Sequence, residues 1–349
     1  MTTKKWSRIV LSSTVVLLVL IAAFQIITDP FIHFHKEFSF FQYPLKDERF
    51  QNDGLQRHRE YNILVTGTSM SQNFNTSKFE SLWGRKTIKT CYSGGSFYEL
   101  SASMQNAINH NPDLEIIICS FDPNGISDSP EAYSYEGIPE YLYDNNPFND
   151  VNYLFNKEAI TKGIAVLNYT RSGQMTPSMD LYGRFDNYLP TGLDAVKRSY
   201  VRAEKQDLSQ PFTKEAKHTI QVNVSQNFVE LAKKNPQVTF IFYLPPYSYC
   251  YWDGLIRTNQ LDYATKAIEY ASSVLTQADN IELYSFLSWE DVITNLDYYS
   301  DTIHYNGVIC DRMTESFFEK EFLINSDNAD SYFENLNTFF QGIDYSTLD

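Results

Sequence analysis

The sequence has few basic residues relative to acidic ones, and this shortage excludes one large class of partners. Its 349 residues include 28 Lys or Arg and 43 Asp or Glu, so the formal net charge is −15. A nucleic-acid-binding protein needs a basic surface to replace the counterions of the phosphates. Here the basic residues cluster only at the N-terminus, in MTTKKWSR. We therefore expect no nucleic-acid partner.

Cysteine is scarce, and metal and cofactor motifs are missing. The cysteines Cys91, Cys119, Cys250 and Cys310 lie far apart and form none of the Cys/His spacings of a zinc site. Cys119 lies in an apolar run, which predicts a buried free thiol. One disulfide, for example Cys250–Cys310, is permitted outside the cell. Because the sequence also has no P-loop and no dinucleotide fingerprint, we expect neither a metal nor a cofactor.

One long run without charge, Ile9–Ile27, predicts a membrane helix. Its 19 residues come close to the about 20 that a helix needs to cross a bilayer. Lys4, Lys5 and Arg8 precede the run, so the positive-inside rule places the N-terminus in the cytoplasm and the rest outside. A cleaved signal peptide is the alternative, but the end of the run, AAFQIITDP, lacks a small-x-small cleavage pattern. We favour an uncleaved anchor at residues 9–28.

Beyond the anchor, short apolar runs alternate with helical patterns. This alternation predicts a mainly parallel sheet covered by helices on both faces. His33 and His35, soon after the anchor, have no further ligands nearby, and we interpret them as surface residues. The expected regions are a cytoplasmic N-terminus (1–8), the anchor (9–28), a juxtamembrane collar (29–59), an extracytoplasmic domain (60–325) with an insertion at about 127–210, and an acidic C-terminal tail (326–349).

A serine in VTGTSMSQNF lies where the first predicted strand ends and a helix begins. Serine is a weak nucleophile unless a base takes its proton. On such a turn the hydroxyl of Ser69 is exposed, and its amide is near a helix N-terminus that can stabilise an oxyanion. Ser71, two residues further on, is expected to point elsewhere. The alternative is an ordinary helix cap.

The segment YYSDTIHYNG supplies the partners that such a serine needs. Asp301 and His304 are three residues apart, so a tight loop can bring the carboxylate to the imidazole. The carboxylate would fix the tautomer of the imidazole and stabilise the imidazolium that forms during reaction. The alternative is a helix-capping pair with a packed histidine.

Together these segments resemble the SGNH (GDSL-like) hydrolase superfamily. Its first block, GDS or a variant, is matched by Gly67–Ser69, and its last block, DxxH, by Asp301 and His304. The second-block glycine, which supplies an amide to the oxyanion hole, is matched by Gly94 or Gly95 in SGGS. The resemblance implies a flavodoxin-like three-layer α/β/α fold. It also implies a serine nucleophile, a histidine base and an aspartate that orients the base.

The third block departs from the family pattern. An asparagine is expected there for the oxyanion hole, but the strand end CSFDPNG offers Asp122 or Asn124. A carboxylate would repel an oxyanion unless it is protonated. Either Asn124 takes the role, or the hole uses backbone amides only. In the first block, Thr68 replaces the usual aspartate.

The layout of an N-terminal anchor, an early serine and a late DxxH is similar to two branches of the superfamily. One is the D-alanyl-transfer protein of lipoteichoic acid operons, and the other comprises SGNH-like proteins encoded with bacterial envelope-polysaccharide genes. The resemblance implies ester chemistry on a cell-envelope glycan. An acyl group, acetyl in our interpretation, would be removed or passed on from a membrane O-acyltransferase partner.

An aromatic segment after Pro245 offers candidate sugar contacts. Tyr247, Tyr249 and Trp252 follow the end of a predicted strand and could stack on a sugar ring. Packing of this segment over the edge of the sheet is the alternative. A catalytically weak or inactive SGNH-fold scaffold that binds a glycan or assembly machinery is the second functional hypothesis.

Overall fold

The computed structural model describes residues 2–135, 139–144 and 146–348. The chain divides into two compact units, one of Met1–Arg59 with Gly137–Ser178 and one of Glu60–Glu136 with Met179–Asp349. The first unit thus joins the N-terminal segment to part of the region expected as an insertion. That region, residues 127–210, contributes to both units.

Helices and strands alternate along the chain. The helices are α1 (Thr3–Thr28), α2 (Glu48–His58), α3 (Thr76–Trp83), α4 (Phe97–His110), α5 (Val151–Leu154), α6 (Lys157–Arg171), α7 (Leu193–Ser199), α8 (Lys214–Val224), α9 (Glu230–Lys234), α10 (Tyr249–Arg257), α11 (Leu261–Leu275), α12 (Glu290–Ile293), α13 (Gly307–Glu319) and α14 (Ala329–Gly342). The strands are β1 (Ile63–Thr66), β2 (Thr87–Lys89), β3 (Ile116–Ser120), β4 (Thr239–Leu244), β5 (Ile281–Ser285) and β6 (Leu323–Ile324). A π-helical segment, Ser225–Val229, joins α8 to α9.

The described strands form one sheet in the order β2-β1-β3-β4-β5-β6. The first five strands are parallel, and β6 pairs antiparallel with β5. The order 2-1-3-4-5 is that of a doubly wound sheet, in which ligands bind at the carboxyl ends of the strands where the order reverses. Helix α3 contacts α13, and α11 contacts α8 and α14, consistent with a three-layer α/β/α arrangement.

The apolar composition of the central strands explains why they are buried. Strand β3 and strand β4, with the sequences IIICS and TFIFYL, are buried almost throughout. Parallel strands covered on both faces require such continuous apolar runs. The prediction of a mainly parallel sheet is therefore confirmed. Strand β6 was not predicted, because two residues give no readable pattern.

In the first unit, the end of α1 is part of the folded structure. Helix α1 is 26 residues long and apolar enough to cross a membrane, yet its residues Gln25 and Thr28 are buried. They face Gly163 of α6, where an added Cβ atom would lie 2.7 Å from Thr28 Oγ1 and 2.8 Å from Gln25 Oε1. Glycine at this position lets α6 approach the last turns of α1.

The carboxylate of Asp29 organises the segment that follows α1. It accepts hydrogen bonds from the amides of residues 33–35 and from the hydroxyl of Tyr153. His33, which we expected at the surface, is instead partly buried and bonds Asp150 over 3.0 Å. In the described part of the chain, no group of His, Cys, Asp and Glu side chains could hold a metal ion.

The C-terminal region needs a correction, and the structure decides the state of the cysteines, which the sequence leaves open. The C-terminal residues expected as an acidic tail form α14, which contacts α10 and α11. Its Phe340 is fully buried and stacks on Trp252, with ring centroids 3.7 Å apart. The cysteines are all free and buried, so Cys250 and Cys310 form no disulfide.

Because Phe340 fills the contact between α14 and α10, we expect Phe340→Ala to lower the free energy of unfolding by about 3–5 kcal/mol. The neighbouring Phe339 is only partly buried, so Phe339→Ala should cost clearly less. Denaturant unfolding of both variants measures the difference. No loss in Phe340→Ala would show that α14 is not part of the stable fold, and equal losses would show that burial of Phe340 against α10 is not what stabilises it.

Candidate active site

The turn after β1 presents Ser69 at the carboxyl edge of the sheet. Gly67 has φ +125°, and a Cβ atom there would lie 2.8 Å from the backbone nitrogen of Ser120. Only glycine tolerates both this φ and this close approach. The side chain of Thr68 then caps a short 3₁₀ turn, Ser69–Ser71, by accepting a hydrogen bond from the amide of Met70.

The structure brings the three predicted catalytic residues together in one hydrogen-bonded chain. Ser69 Oγ lies 2.8 Å from His304 Nε2. The other ring nitrogen, Nδ1, lies 2.6 Å from Asp301 Oδ2. With Nδ1 protonated toward the carboxylate, Nε2 has its lone pair toward the serine hydroxyl and can accept its proton.

Asp301 is held as an ionised acceptor. Its Oδ1 accepts the amides of Ile303 and His304, each over 2.9 Å. Burial favours the neutral form of this carboxyl group, but the hydrogen bond from His304, the electrostatic attraction to its ring and the two amides outweigh burial and lower the pKa of Asp301. The loop that supplies the carboxylate therefore also fixes its charge.

Tyr305 ties the histidine loop to the serine turn. Its hydroxyl donates to the carbonyl of Met70 over 2.8 Å, and its own carbonyl accepts from the Asn73 side chain over 2.8 Å. On the other side of the imidazole, the ring of Phe185 meets His304 edge-on, with centroids 5.4 Å apart. These contacts restrict the position of His304 relative to Ser69.

Ser71 is not available as a nucleophile. It is fully buried, and its hydroxyl lies 2.7 Å from the hydroxyl of Tyr243. As expected, it points away from His304.

Two backbone amides of residues that line the cavity beside Ser69 have no hydrogen-bond partner in the described part of the chain. In the described part of the chain, the amides of Ser69 and Gly94 make no hydrogen bond, whereas the amide of Gly95 donates to the carbonyl of Tyr92 over 2.7 Å. Gly94 has φ +60° and lines the same cavity as Ser69. Of the two predicted glycines, Gly94 is therefore the one whose amide is without an acceptor among the described residues, and it is the better candidate for the oxyanion hole.

Asn124 and Asp122 have different positions in the third block. Asn124 is exposed at the cavity, and its Oδ1 accepts the hydroxyl of Tyr251 over 2.9 Å, which leaves its amide group as a donor. Asp122 is buried, and burial raises its pKa against the opposing hydrogen bonds of three hydroxyl groups. Asn124 is thus the better candidate for an oxyanion donor.

The cavity beside Ser69 has a volume of about 180 Å³ and is also lined by Gly94, Asn124, Tyr247 and Ile303. It is smaller than the roughly 300–1,000 Å³ of pockets that enclose drug-sized ligands. A larger groove of about 890 Å³ along α11 and α14 contains none of these residues.

The aromatic segment after Pro245 packs inward, contrary to our expectation of sugar contacts. Trp252 is fully buried, donates its indole N–H to the carbonyl of Tyr247 and stacks on Phe340. Tyr249 is 5% exposed and bonds Thr347. Neither ring can stack on a sugar. Tyr247 lines the cavity, but its role there is a hydrogen bond to Asp122.

Several residues at the site were not predicted from the sequence. Phe185 comes from the irregular region 127–210, and Asn73 Oδ1 positions it by accepting its amide over 3.1 Å. Ser120 and Thr68 contact Asp122. Serine and threonine at strand ends are common, so only the strand pairing that places β1 beside β3 reveals these contacts.

The fold and site define a protein with a hydrogen-bonded Ser–His–Asp chain at the carboxyl edge of a mostly parallel α/β sheet. No protein-family model and no curated protein matches the chain. A similar solved structure is that of a Streptococcus pneumoniae protein described as a candidate platelet activating factor. It is 11% identical, with a TM-score of 0.41 over 79% of this chain and 91% of that chain.

The lowered pKa of Asp301 predicts a pH dependence of stability. Because the folded state favours the ionised form, the contribution of Asp301 should be present above its ordinary pKa of 3.8 and disappear as the pH falls through the folded value. We expect Asp301→Asn to destabilise the protein near neutral pH and to match wild type more closely in acid. Denaturant unfolding from pH 7 to pH 3 measures this, with the exposed Asp297→Asn as control. A stability difference that is independent of pH would contradict the prediction.

Proposed function

We propose that the chain is a serine acyl-hydrolase or acyltransferase of the SGNH (GDSL-like) superfamily. The observation that supports this most is the hydrogen-bonded chain from Ser69 Oγ to His304 Nε2, 2.8 Å, and from His304 Nδ1 to Asp301, 2.6 Å. The mostly parallel sheet, with the serine on the turn after β1, also fits the superfamily's flavodoxin-like three-layer fold.

In the proposed mechanism, His304 takes the proton of Ser69 as the serine oxygen attacks an ester carbonyl. The negative charge that develops on the carbonyl oxygen is stabilised by the amides of Ser69 and Gly94, with Asn124 as a further donor. Asp301 stabilises the imidazolium. His304 then gives its proton to the leaving alcohol, and a seryl ester remains.

Water or a second hydroxyl group then attacks the seryl ester, with His304 again acting as base. Water gives hydrolysis, and a sugar hydroxyl gives acyl transfer. Both reactions pass through the same intermediate, so both belong to the proposal.

The small cavity beside Ser69 favours a short acyl group as the group transferred, and we propose that this group is acetyl. We propose an extracytoplasmic site, on the argument from the N-terminal helix given next, and with it a cell-envelope polysaccharide as the carrier of the acyl group. A membrane O-acyltransferase is the proposed partner if the reaction is a transfer.

The N-terminal helix supports a membrane location for the protein. Gln25 and Thr28 at its end are buried against α6, and Asp29 holds the following loop. A cleaved signal sequence would have no need of such contacts. We therefore propose a retained single-pass anchor, with the N-terminus cytoplasmic because Lys4, Lys5 and Arg8 precede the span.

The second hypothesis is an inactive scaffold of the same fold that binds a glycan. The carboxylate of Asp122 at the third-block position favours it. The burial of Tyr249 and Trp252 weakens it, because these rings were the expected sugar contacts.

The enzymatic proposal predicts that a fluorophosphonate probe labels the purified full-length protein at Ser69. Ser69→Ala should abolish labelling. His304→Ala should slow it by at least about a hundredfold, because the serine then loses its base. Mass spectrometry of the labelled peptide identifies the site.

Ser71→Ala is the matched control, because Ser71 is in the same turn but bonds Tyr243 instead of His304. It should retain labelling. Wild-type protein that remains unlabelled, or a label that persists in Ser69→Ala, would count against the enzyme and in favour of the scaffold.

The anchor proposal predicts that protein extracted from membranes keeps its N-terminal helix. Its intact mass should include residues 3–28, and alkaline carbonate should not release it. A mature N-terminus downstream of Phe24 would instead identify a cleaved signal peptide.

A further inference from the structure

We propose that Asp122 is a positioning residue, a buried carboxylate that holds the Ser69 turn in its reactive conformation and does not itself bind the oxyanion. This inference rests on the proposed function, because it assigns a role within the same reaction. It also explains why an acid occupies the position where the superfamily pattern has asparagine.

Asp122 is surrounded by hydroxyl donors. Its Oδ2 accepts the hydroxyl of Thr68 over 2.5 Å and that of Ser120 over 3.0 Å. Its Oδ1 accepts the hydroxyl of Tyr247 over 2.6 Å. The side chain is 5% exposed. Three hydroxyl protons therefore point at one carboxylate.

Committing these protons to Asp122 leaves the hydroxyl oxygens free to accept backbone amides. The amide of Thr68 donates to Ser120 Oγ over 3.0 Å, and the amide of Met70 donates to Thr68 Oγ1 over 3.3 Å. These two amides flank Ser69 in the sequence. The bonded amides belong to the Gly67–Thr68 and Ser69–Met70 peptide units, which lie before and after the unit that carries the Ser69 amide. The network therefore restrains the direction of the Ser69 amide from both sides.

The Tyr247 hydroxyl extends the network to the opposite wall of the cavity. It donates to Asp122 and lies 3.5 Å from the amide nitrogen of Asn124. A carboxylate is required at the centre because it accepts at both oxygens, whereas an asparagine accepts at one and donates at the other. With asparagine in place of Asp122, an NH₂ group would replace one of the two acceptor oxygens. Either the hydrogen bond from Tyr247 or the hydrogen bonds from Thr68 and Ser120 would then be lost.

The alternative role makes the opposite prediction. If Asp122 only occupied the oxyanion position, its negative charge would hinder catalysis, and an amide there would add a donor. Asp122→Asn would then raise the rate. Under our proposal the same isosteric change lowers it.

The test uses the full-length protein, with the rate of Ser69 phosphonylation and the kcat and KM for p-nitrophenyl acetate as readouts. We expect Asp122→Ala to lower kcat by about a hundredfold, because the nucleophile is misplaced. Asp122→Asn should lower it by about tenfold, as expected for one lost buried hydrogen bond. KM should change less than kcat, because Asp122 lines the cavity but both of its carboxylate oxygens are occupied by the hydroxyls of Thr68, Ser120 and Tyr247.

Asp253→Asn is the matched control for a general loss of stability. Asp253 is also a buried carboxylate of the same unit, and it bonds Arg202 and Tyr200 away from the cavity. It should lower the unfolding midpoint but leave kcat unchanged at temperatures where the protein is folded. If Asp122 had a merely structural role, Asp122→Asn would likewise lower the unfolding midpoint and leave kcat unchanged.

Double variants test whether Asp122 affects kcat through its contact with Thr68. Thr68→Val removes one hydroxyl donor of the network, so its effect should be smaller in an Asp122→Ala background than in wild type. Additive effects, an unchanged kcat in both Asp122 variants, or a faster Asp122→Asn would overturn the positioning role while the proposed function stands. A wild-type protein that does not react would overturn the proposed function and this inference with it.

Discussion

The hydrogen bond between Ser69 and His304 joins residues 235 positions apart, and the rest of the site depends on it. Parallel strands make this contact available, because their carboxyl ends meet at one edge of the sheet. Ser69 lies on the turn after β1, and His304 lies on the segment between α12 and α13. Tyr305 connects the segment of His304 to the turn of Ser69, because its hydroxyl donates a hydrogen bond to the carbonyl of Met70. The sheet brings the two segments to one edge, and local hydrogen bonds set the final distance.

Two carboxyl groups near the nucleophile have opposite environments. Asp301 faces an imidazole and two amides, which lower its pKa. Asp122 accepts hydrogen bonds from three hydroxyl groups, and burial raises its pKa. The first arrangement suits a charge that must stabilise an imidazolium, and the second suits an acceptor that organises hydroxyls. Opposite pKa shifts in one site commonly mark different roles for the two acids.

The parts of the site that are local in sequence could be predicted, and the parts made by strand pairing could not. Ser69 could be located from a strand followed by a turn, and Asp301 with His304 from their spacing. The role of Asp122 requires Thr68 and Ser120 to be neighbours, which follows only from the pairing of β1 with β3. Phe185 comes from an irregular region with no periodicity.

The aromatic residues illustrate a different limit of prediction from sequence. Tyr249 and Trp252 follow the end of β4, a place where exposed sugar contacts and inward packing have the same sequence pattern. The choice is made by α14, whose Phe340 covers Trp252. Because the sequence predicts an acidic tail at residues 326–349, it offers no partner for these rings. Where an aromatic side chain points depends on whether another element covers it.

The most direct measurement is a crystal structure of the protein after reaction with a fluorophosphonate. We expect phosphorus bonded to Ser69 Oγ, and its unsubstituted oxygen within hydrogen-bonding distance of the amides of Ser69 and Gly94. His304 should remain bonded to Asp301. An adduct on another residue, or a phosphoryl oxygen that points away from both amides, would contradict the account.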